Sequence, residues 1–239
     1  LNICIDIGNT SAKAGIFEGE NLVELVQNLS DRGIIKFLKQ RNPEHIMISS
    51  VRKGIGRILG QAVDIAHTMQ FDHTTPVPFT NAYHTPQTLG LDRIAAVAGA
   101  GFLHPGKDVL VVDIGTCITY DLLDGAGTYH GGGISPGVEM RLKAMHKFTS
   151  RLPLLSAKGD VELIGKTTSE CMLSGATNGT AAEIEGIILR YRQFFGDLDI
   201  IFCGGGAKFF ESKIKGHIFA VPNLVVIGLN QILRSNLND

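Results

Sequence analysis

The 239 residues hold no extended run of lysine or arginine, and the formal net charge is only −1. Gripping nucleic-acid phosphates or an anionic membrane takes a concentration of cations, so neither is expected as a partner. Long apolar stretches are missing as well. The longest, Ile94–Leu103, falls well short of the roughly 18 residues that a membrane span requires. The first residues carry no basic segment or cleavage site, and Asp6 interrupts the apolar run there, so the expected location is the cytoplasm. Cysteine is scarce. Cys4, Cys117, Cys171 and Cys203 form no Cys-x-x-Cys pair and suit no metal in their spacing to the eight histidines. They read as reduced, buried small residues. A Gly-x-x-x-x-Gly-Lys-Ser/Thr loop is also absent, which excludes a P-loop enzyme. With no His-Glu-x-x-His, no Gly-x-Ser-x-Gly and no kinase-type glycine loop with a catalytic Arg-Asp, those chemistries lose their support too.

What is present is a chain with 44% hydrophobic and 19% charged residues, enough for a proper globular core. One device appears twice. Val109-Leu110-Val111-Val112 drives into Asp113-Ile114-Gly115-Thr116, and Ile118, Tyr120 and Leu122 then alternate with Thr119 and Asp121 as a second strand. Near the start, Ile3-Cys4-Ile5 runs into Asp6-Ile7-Gly8-Asn9-Thr10, and the chain resumes through Ser11, Ala12, Lys13 and Ala14. A strand, an Asp-x-Gly turn closed by Thr (Asp-x-Gly-x-Thr in the first copy, Asp-x-Gly-Thr in the second) and a strand, in duplicate, predict a duplicated α/β fold with both turns facing one cleft. The turns suit phosphate. Gly8 and Gly115 let backbone N–H groups approach an anion, and Thr10 and Thr116 add hydroxyl donors. Asp6 and Asp113, at strand ends, are placed to hold Mg²⁺ or another cation against that phosphate. A single copy is also ordinary hairpin chemistry; two after apolar strands are a stronger signal.

In chain order, strands are predicted over 1–7, 11–18 and 21–28, then a helix capped by Ser30 or Asp31, a strand over 45–49 and a helix over 55–67. This is the pattern of an RNase H-like half. Residues 71–88, rich in Thr, Pro and His, read as a loop too long to be idle. It leads to Asp92, at the start of a helix, where capping and a paired role with Arg93 as base and anion-binding guanidinium stand equally open. The second half begins near Lys107. A strand over 129–134 precedes Ser135-Pro136, read as N-cap and first helical residue. Residues 147–164 read as an irregular, mobile surface segment. Thr167-x-x-Glu170 is a capping box opening a helix to about Phe195. Gly175, Gly179 and Gly186 within it admit either a second subunit or tight packing inside the chain. The last core strand, 199–203, meets Gly204-Gly205-Gly206 at its C-terminal end, the place where open α/β sheets bind ligands, although a plain turn also explains the triplet. A helix over 223–237 closes the chain.

Taken together, these residues resemble type III pantothenate kinases, members of the acetate and sugar kinase, Hsc70 and actin superfamily. Asp6-Ile7-Gly8-Asn9-Thr10 with Lys13 is similar to that family's first phosphate motif, and Asp113-Ile114-Gly115-Thr116 with Thr119 and Asp121 to its second. Tyr83, Thr85-Pro86 and Gly90-Leu91-Asp92-Arg93 resemble its pantothenate-binding element, and that segment makes the likeness specific. Cys117 stands where a residue such as Ala is more usual, and Cys203 replaces a Thr. The resemblance implies duplicated RNase H-like halves, 1–106 and 107–239, with mixed sheets flanked by helices and a cleft between them. It implies ATP-dependent phosphorylation of pantothenate to 4′-phosphopantothenate, the first step toward coenzyme A. By the same resemblance Asp92 orients or deprotonates the attacking hydroxyl, and Asp6 anchors Mg²⁺–ATP. Asp113 holds a monovalent cation, K⁺ or NH4⁺. Residues Asp6, Ile7, Gly8, Asn9, Thr10, Ser11, Ala12, Lys13, Thr116, Gly204 and Gly205 bind ATP, and Tyr83, Gly90, Leu91, Asp92, Arg93 and Thr168 surround pantothenate. A homodimer with the substrate site at the subunit interface is expected. The competing expectations are a regulatory or accessory protein on the same fold, or a kinase of the superfamily acting on another small acceptor.

Overall fold

A computed structural model describes residues 1–8, 12–52, 54–157 and 159–237. Asn9, Thr10 and Ser11 of the first turn lie outside the described residues. The fold is α/β, with two mixed sheets flanked by helices, and the chain divides into two compact units. One comprises residues 1–106, 123–130 and 223–239, the other 107–122 and 131–222.

In the first unit β1 (Asn2–Ile7), β2 (Ala12–Glu18) and β3 (Asn21–Leu29) form an antiparallel meander. Helix α1 (Asp31–Arg41) leads to β4 (His45–Ser50), parallel to β1, and α2 (Gly56–Val63) to β5 (His67–Gln70), parallel to β4. The sheet order is β3-β2-β1-β4-β5. Strand periodicity sorts the side chains. Ile3, Ile5 and Ile7 of β1 join Ile34, Leu38 and Ile58 of the first two helices, while Cys4 joins the opposite core. That opposite core is built by α3 (Leu91–Leu103) and α7 (Leu224–Leu237) through Ile94, Val97, Leu229 and Ile232. The predicted helix over 55–67 is too long: it ends at Val63, and His67 opens an edge strand. His-Thr-Met-Gln, half exposed at a sheet edge, shows no alternation that sequence patterning detects. Ser30 is the α1 cap, its Oγ accepting from the Gly33 amide at 3.2 Å.

In the second unit β7 (Val109–Ile114), β8 (Cys117–Leu123) and β9 (Thr128–Pro136) are followed by α4 (Val138–Phe148), α5 (Thr168–Phe195) and β10 (Asp199–Cys203). A short α6 (Ala207–Glu211) and the edge strand β11 (Phe219–Ala220) complete it. Strands run in the order β11-β10-β7-β8-β9, with β10 parallel to both β7 and β11. In the first unit, β6 (Thr80–Asn81) pairs with the opening residues of β9. The core of the second unit joins Leu110, Val112 and Ile118 of the sheet to Ile184 and Ile188 of α5 and Phe210 of α6. The predicted capping box is present: Thr167 Oγ1 accepts from the Glu170 amide at 3.2 Å, and Glu170 returns a carboxylate oxygen to the Thr167 amide at 3.1 Å. Among the described residues no helix is long and apolar enough to cross a membrane. All four cysteines are free, but only Cys4 and Cys203 are buried; Cys117 is half-buried and Cys171, in the first turn of α5, is exposed.

Candidate functional site

The first cluster lies in the first unit, where β1 ends and α3 begins. Asp6 sits opposite Lys13 in the β1–β2 register, and Ile7 opposite Ala12, so the two strands deliver the carboxylate and the ammonium side by side. Gly8 follows at the strand end. Asp92 approaches from the first turn of α3. Withdrawal from water and then the Asp92 charge push the Asp6 carboxyl up to about 6, with Lys13 opposing. Two carboxylates so placed attract a proton or a cation.

Asp92 is not the helix cap. Gly90 holds that position, and Asp92 is the second helical residue, its Oδ1 accepting from the Arg93 amide at 2.9 Å. Of the two readings of Asp92, capping is therefore removed, although a carboxylate in a first turn still complements the helix dipole. Gly90 has its own reason to lack a side chain: a Cβ there would stand 2.5 Å from Asp92 Oδ1. The buried Arg93 guanidinium lies 6.0 Å from the centre of the Tyr83 ring, and Tyr83 stacks on Tyr129 at 6.3 Å. The long loop is held in place: Asn81 Oδ1 accepts from the Tyr83 amide at 3.0 Å, and His73 Nε2 meets the Leu89 carbonyl at 2.8 Å. Asn81, Tyr129 and His73 escaped sequence reading because their partners are distant in the chain or are backbone atoms.

The second cluster lies in the second unit. Asp113 is the penultimate residue of β7, and Cys203, opposite it in register, ends β10. Gly204 then turns back at φ +79°, pressed so closely on the Asp113 carboxylate that any side chain there would collide with it. The Gly206 amide donates to the Ile114 carbonyl at 2.8 Å, fixing the glycine triplet against the Asp113-Ile114-Gly115-Thr116 turn. Beside these lies a cavity of about 600 Å³, lined by Gly115, Thr116, Gly205, Gly206 and the Phe209 and Phe210 rings. Glu139 and Lys143 of α4 line another side. Nothing in the sequence marked Glu139, Lys143 or Phe209 as part of a site. Two glycines of the triplet, Gly205 and Gly206, line the cavity.

Ser135-Pro136 does not start a helix. Both residues end β9, and Gly137 is the N-cap of α4. Ser135 Oγ is committed instead to Glu183 of α5, a partner no local pattern reveals. The described residues after α4 are irregular, as expected, and some of them make contacts outside the segment. Glu139 Oε1 accepts from Ser156 Oγ at 2.9 Å and from the Ala157 amide at 2.8 Å, and Asp160 pairs with Lys213 at 3.1 Å. Thr168, the first residue of α5, is exposed and is not among the cavity's lining residues. An added Cβ at Gly175, Gly179 or Gly186 would meet nothing within 4 Å, so tight packing inside the described chain does not explain these glycines.

Residues 2–190 match the family model described as type III pantothenate kinase. The type III pantothenate kinase of Phocaeicola vulgatus is 43% identical over 239 residues, covering 99% of each chain. That of Bacteroides fragilis is 41% identical, covering 99% of this chain and 98% of its own. Among solved structures, a Baf-family protein from Campylobacter jejuni superposes with a TM-score of 0.67 at 22% identity, covering 99% of this chain and 100% of that one.

Proposed function

The chain belongs to the type III pantothenate kinase family, and on that premise we propose how its two clusters divide the work. The protein is a phosphotransferase that uses ATP and a divalent cation to phosphorylate pantothenate, an early reaction of coenzyme A synthesis. The observation that carries the assignment of roles is the meeting of Asp92, at the head of α3, with Asp6, at the end of β1.

Pantothenate lies against Tyr83, Gly90, Leu91, Asp92 and Arg93. Arg93 suits its carboxylate or the transferring phosphoryl group, because a guanidinium offers paired donors to such oxygens. Asp92 accepts or orients the proton of the attacking hydroxyl. Phosphoryl transfer has a loose transition state, so the gain from Asp92 is chiefly alignment of the nucleophile. The family likeness gives ATP two sets of contacts, Asp6 through Lys13 in the first unit and Thr116, Gly204 and Gly205 in the second, and the 600 Å³ cavity of the second unit suits its nucleoside. Among the described residues no group of three or more His, Cys, Asp or Glu side chains is placed to hold a metal by itself. A divalent ion therefore fits as one shared between Asp6 and the ATP phosphates, and it would supply charge neutralisation there. The raised Asp6 carboxyl beside Asp92 is consistent with a cation at that point.

Asp113 takes the monovalent cation. Its carboxylate, packed on Gly204 near the Ile114 carbonyl, offers oxygen ligands of the right kind. The protein acts in the cytoplasm as a homodimer. In support, α5 leaves Gly175, Gly179 and Gly186 uncovered, and Thr168 at the head of the same helix is exposed.

The deciding experiment is ADP release from Mg²⁺–ATP in K⁺ buffer, with and without pantothenate. Release that depends on pantothenate is expected. ATP binding with no stimulation by pantothenate would move the activity to another acceptor or to a regulatory role.

A further inference from the structure

A polar knot in the second unit joins four secondary-structure elements. Glu183, on α5, accepts from Tyr120 Oη of β8 at 3.2 Å and from Ser135 Oγ of β9 at 2.5 Å. Its other carboxylate oxygen pairs with Arg141 of α4, and Arg141 Nε donates to the Pro136 carbonyl at 2.8 Å. Partial withdrawal from water would raise the Glu183 carboxyl, but the Ser135 and Arg141 hydrogen bonds outweigh that and hold it below the usual carboxylate range. It therefore stays ionised opposite Arg141. An exposed ion pair would contribute little; this one is half-buried and shared among three donors, which makes each bond depend on the others.

The knot acts on the junction between β9 and α4. There the Gly137 amide donates to the Thr116 carbonyl at 3.0 Å, and a Cβ on Gly137 would stand 2.8 Å from that same oxygen. So the strand end that Glu183 holds is the one pressed on the Gly115–Thr116 turn. The next residues along, Val138, Glu139, Met140 and Lys143, line the cavity. Glu183 itself is not among the residues lining the cavity.

We propose that Glu183 is a positioning residue for the nucleotide: through Ser135 and Arg141 it locks the β9–α4 junction against the Gly115–Thr116 turn, tying the cavity's shape to α5. This rests on the reading that the cavity holds the nucleoside of ATP. The consequence is selective. Loosening the junction weakens nucleotide binding and leaves the pantothenate cluster of the first unit unchanged.

The test compares wild type with Glu183→Gln, Arg141→Lys, Arg141→Met and Phe209→Ala. Each is titrated with N-methylanthraniloyl-ADP and assayed for the KM of ATP and of pantothenate, with far-ultraviolet circular dichroism confirming the fold. Glu183→Gln should raise the nucleotide Kd and ATP KM about tenfold, the size expected for one charge-assisted hydrogen bond, with pantothenate KM unchanged. Arg141→Met should match it, and Arg141→Lys, which keeps the charge, should recover part of the loss. A folded Glu183→Gln with unchanged nucleotide Kd, or with both KM values rising together, overturns the proposal. Should Glu183→Gln fail to fold, the Arg141→Lys and Arg141→Met pair decides by the same split. Unchanged nucleotide binding in Phe209→Ala instead overturns the nucleoside reading of the cavity. If Phe209→Ala weakens binding and Glu183→Gln does not, only the positioning role falls.

Discussion

The Asp6 carboxyl at the end of β1 titrates near pH 6 because the protein withdraws it from water and sets Asp92 close by. Its ordinary value is 3.8, so the folded state binds a proton more tightly than the unfolded chain, and Asp6 lowers stability as pH rises through the window from about 4 to 6. Asp6→Asn should therefore be more stable than wild type at pH 7.5, with the gain vanishing as pH falls to 4. Urea denaturation of both proteins across that range measures it. The same substitution should abolish turnover, and wild-type kcat/KM for ATP should decline below about pH 6 as Asp6 protonates. A variant no more stable than wild type at pH 7.5 would contradict the assigned cause of the shift.

Asp92→Asn keeps the size of the side chain and leaves β1, the glycine triplet and the cavity untouched. Nucleotide binding should stay within about twofold while kcat falls about 10²- to 10⁴-fold, the usual span for a positioned acid or base. Calorimetric titration with ADP beside steady-state assays checks both. Near-normal kcat would remove Asp92 from the reaction.

Gly99 of α3 and Gly228 of α7 mark where these helices nearly touch. A Cβ at Gly99 would stand 2.6 Å from the Leu224 carbonyl, and one at Gly228 would collide with the Ala95 carbonyl. Backbone cannot yield as a flexible side chain can. Gly228→Ala should cost about 1–3 kcal/mol or more by overpacking, despite the better helix propensity of alanine. Thermal and urea unfolding report it, and unchanged stability would mean the helices separate freely.

If Asp113 holds a selective monovalent site, replacing K⁺ by Na⁺ at equal ionic strength should depress activity several-fold. Asp113→Asn should be low in both salts. Equal rates of the wild type in K⁺ and Na⁺ would count against this site.

Gly179 lies on the uncovered face of α5, with open space around it in the described chain. Gly179→Leu should leave the monomer fold intact, raise the monomer fraction in light scattering and reduce pantothenate turnover, because a bulky side chain keeps a helical mate at a distance. A dimer of unchanged affinity would place the subunit contact elsewhere.

Local pattern alone determined much of this molecule. Short apolar, β-branched runs made β1 and β7 legible, Ser30 and the Thr167–Glu170 capping box marked two helix starts, and the two Asp-x-Gly turns with their Thr, together with Gly-Leu-Asp-Arg, pointed to the family. Each of these signals lies within a few residues of chain, where spacing and side-chain chemistry suffice. Only the tertiary structure decided that Asp92 is not a cap, that Ser135 serves a carboxylate on α5, and that Phe209, Glu139 and Lys143 border the cavity. It also returned the closing helix α7 to the first unit, against α3. These outcomes depend on partners far apart in sequence, and on a carbonyl or carboxylate that a helix or strand end presents only after packing. Residue order does not encode such a meeting in any local period; the folded backbone brings it about.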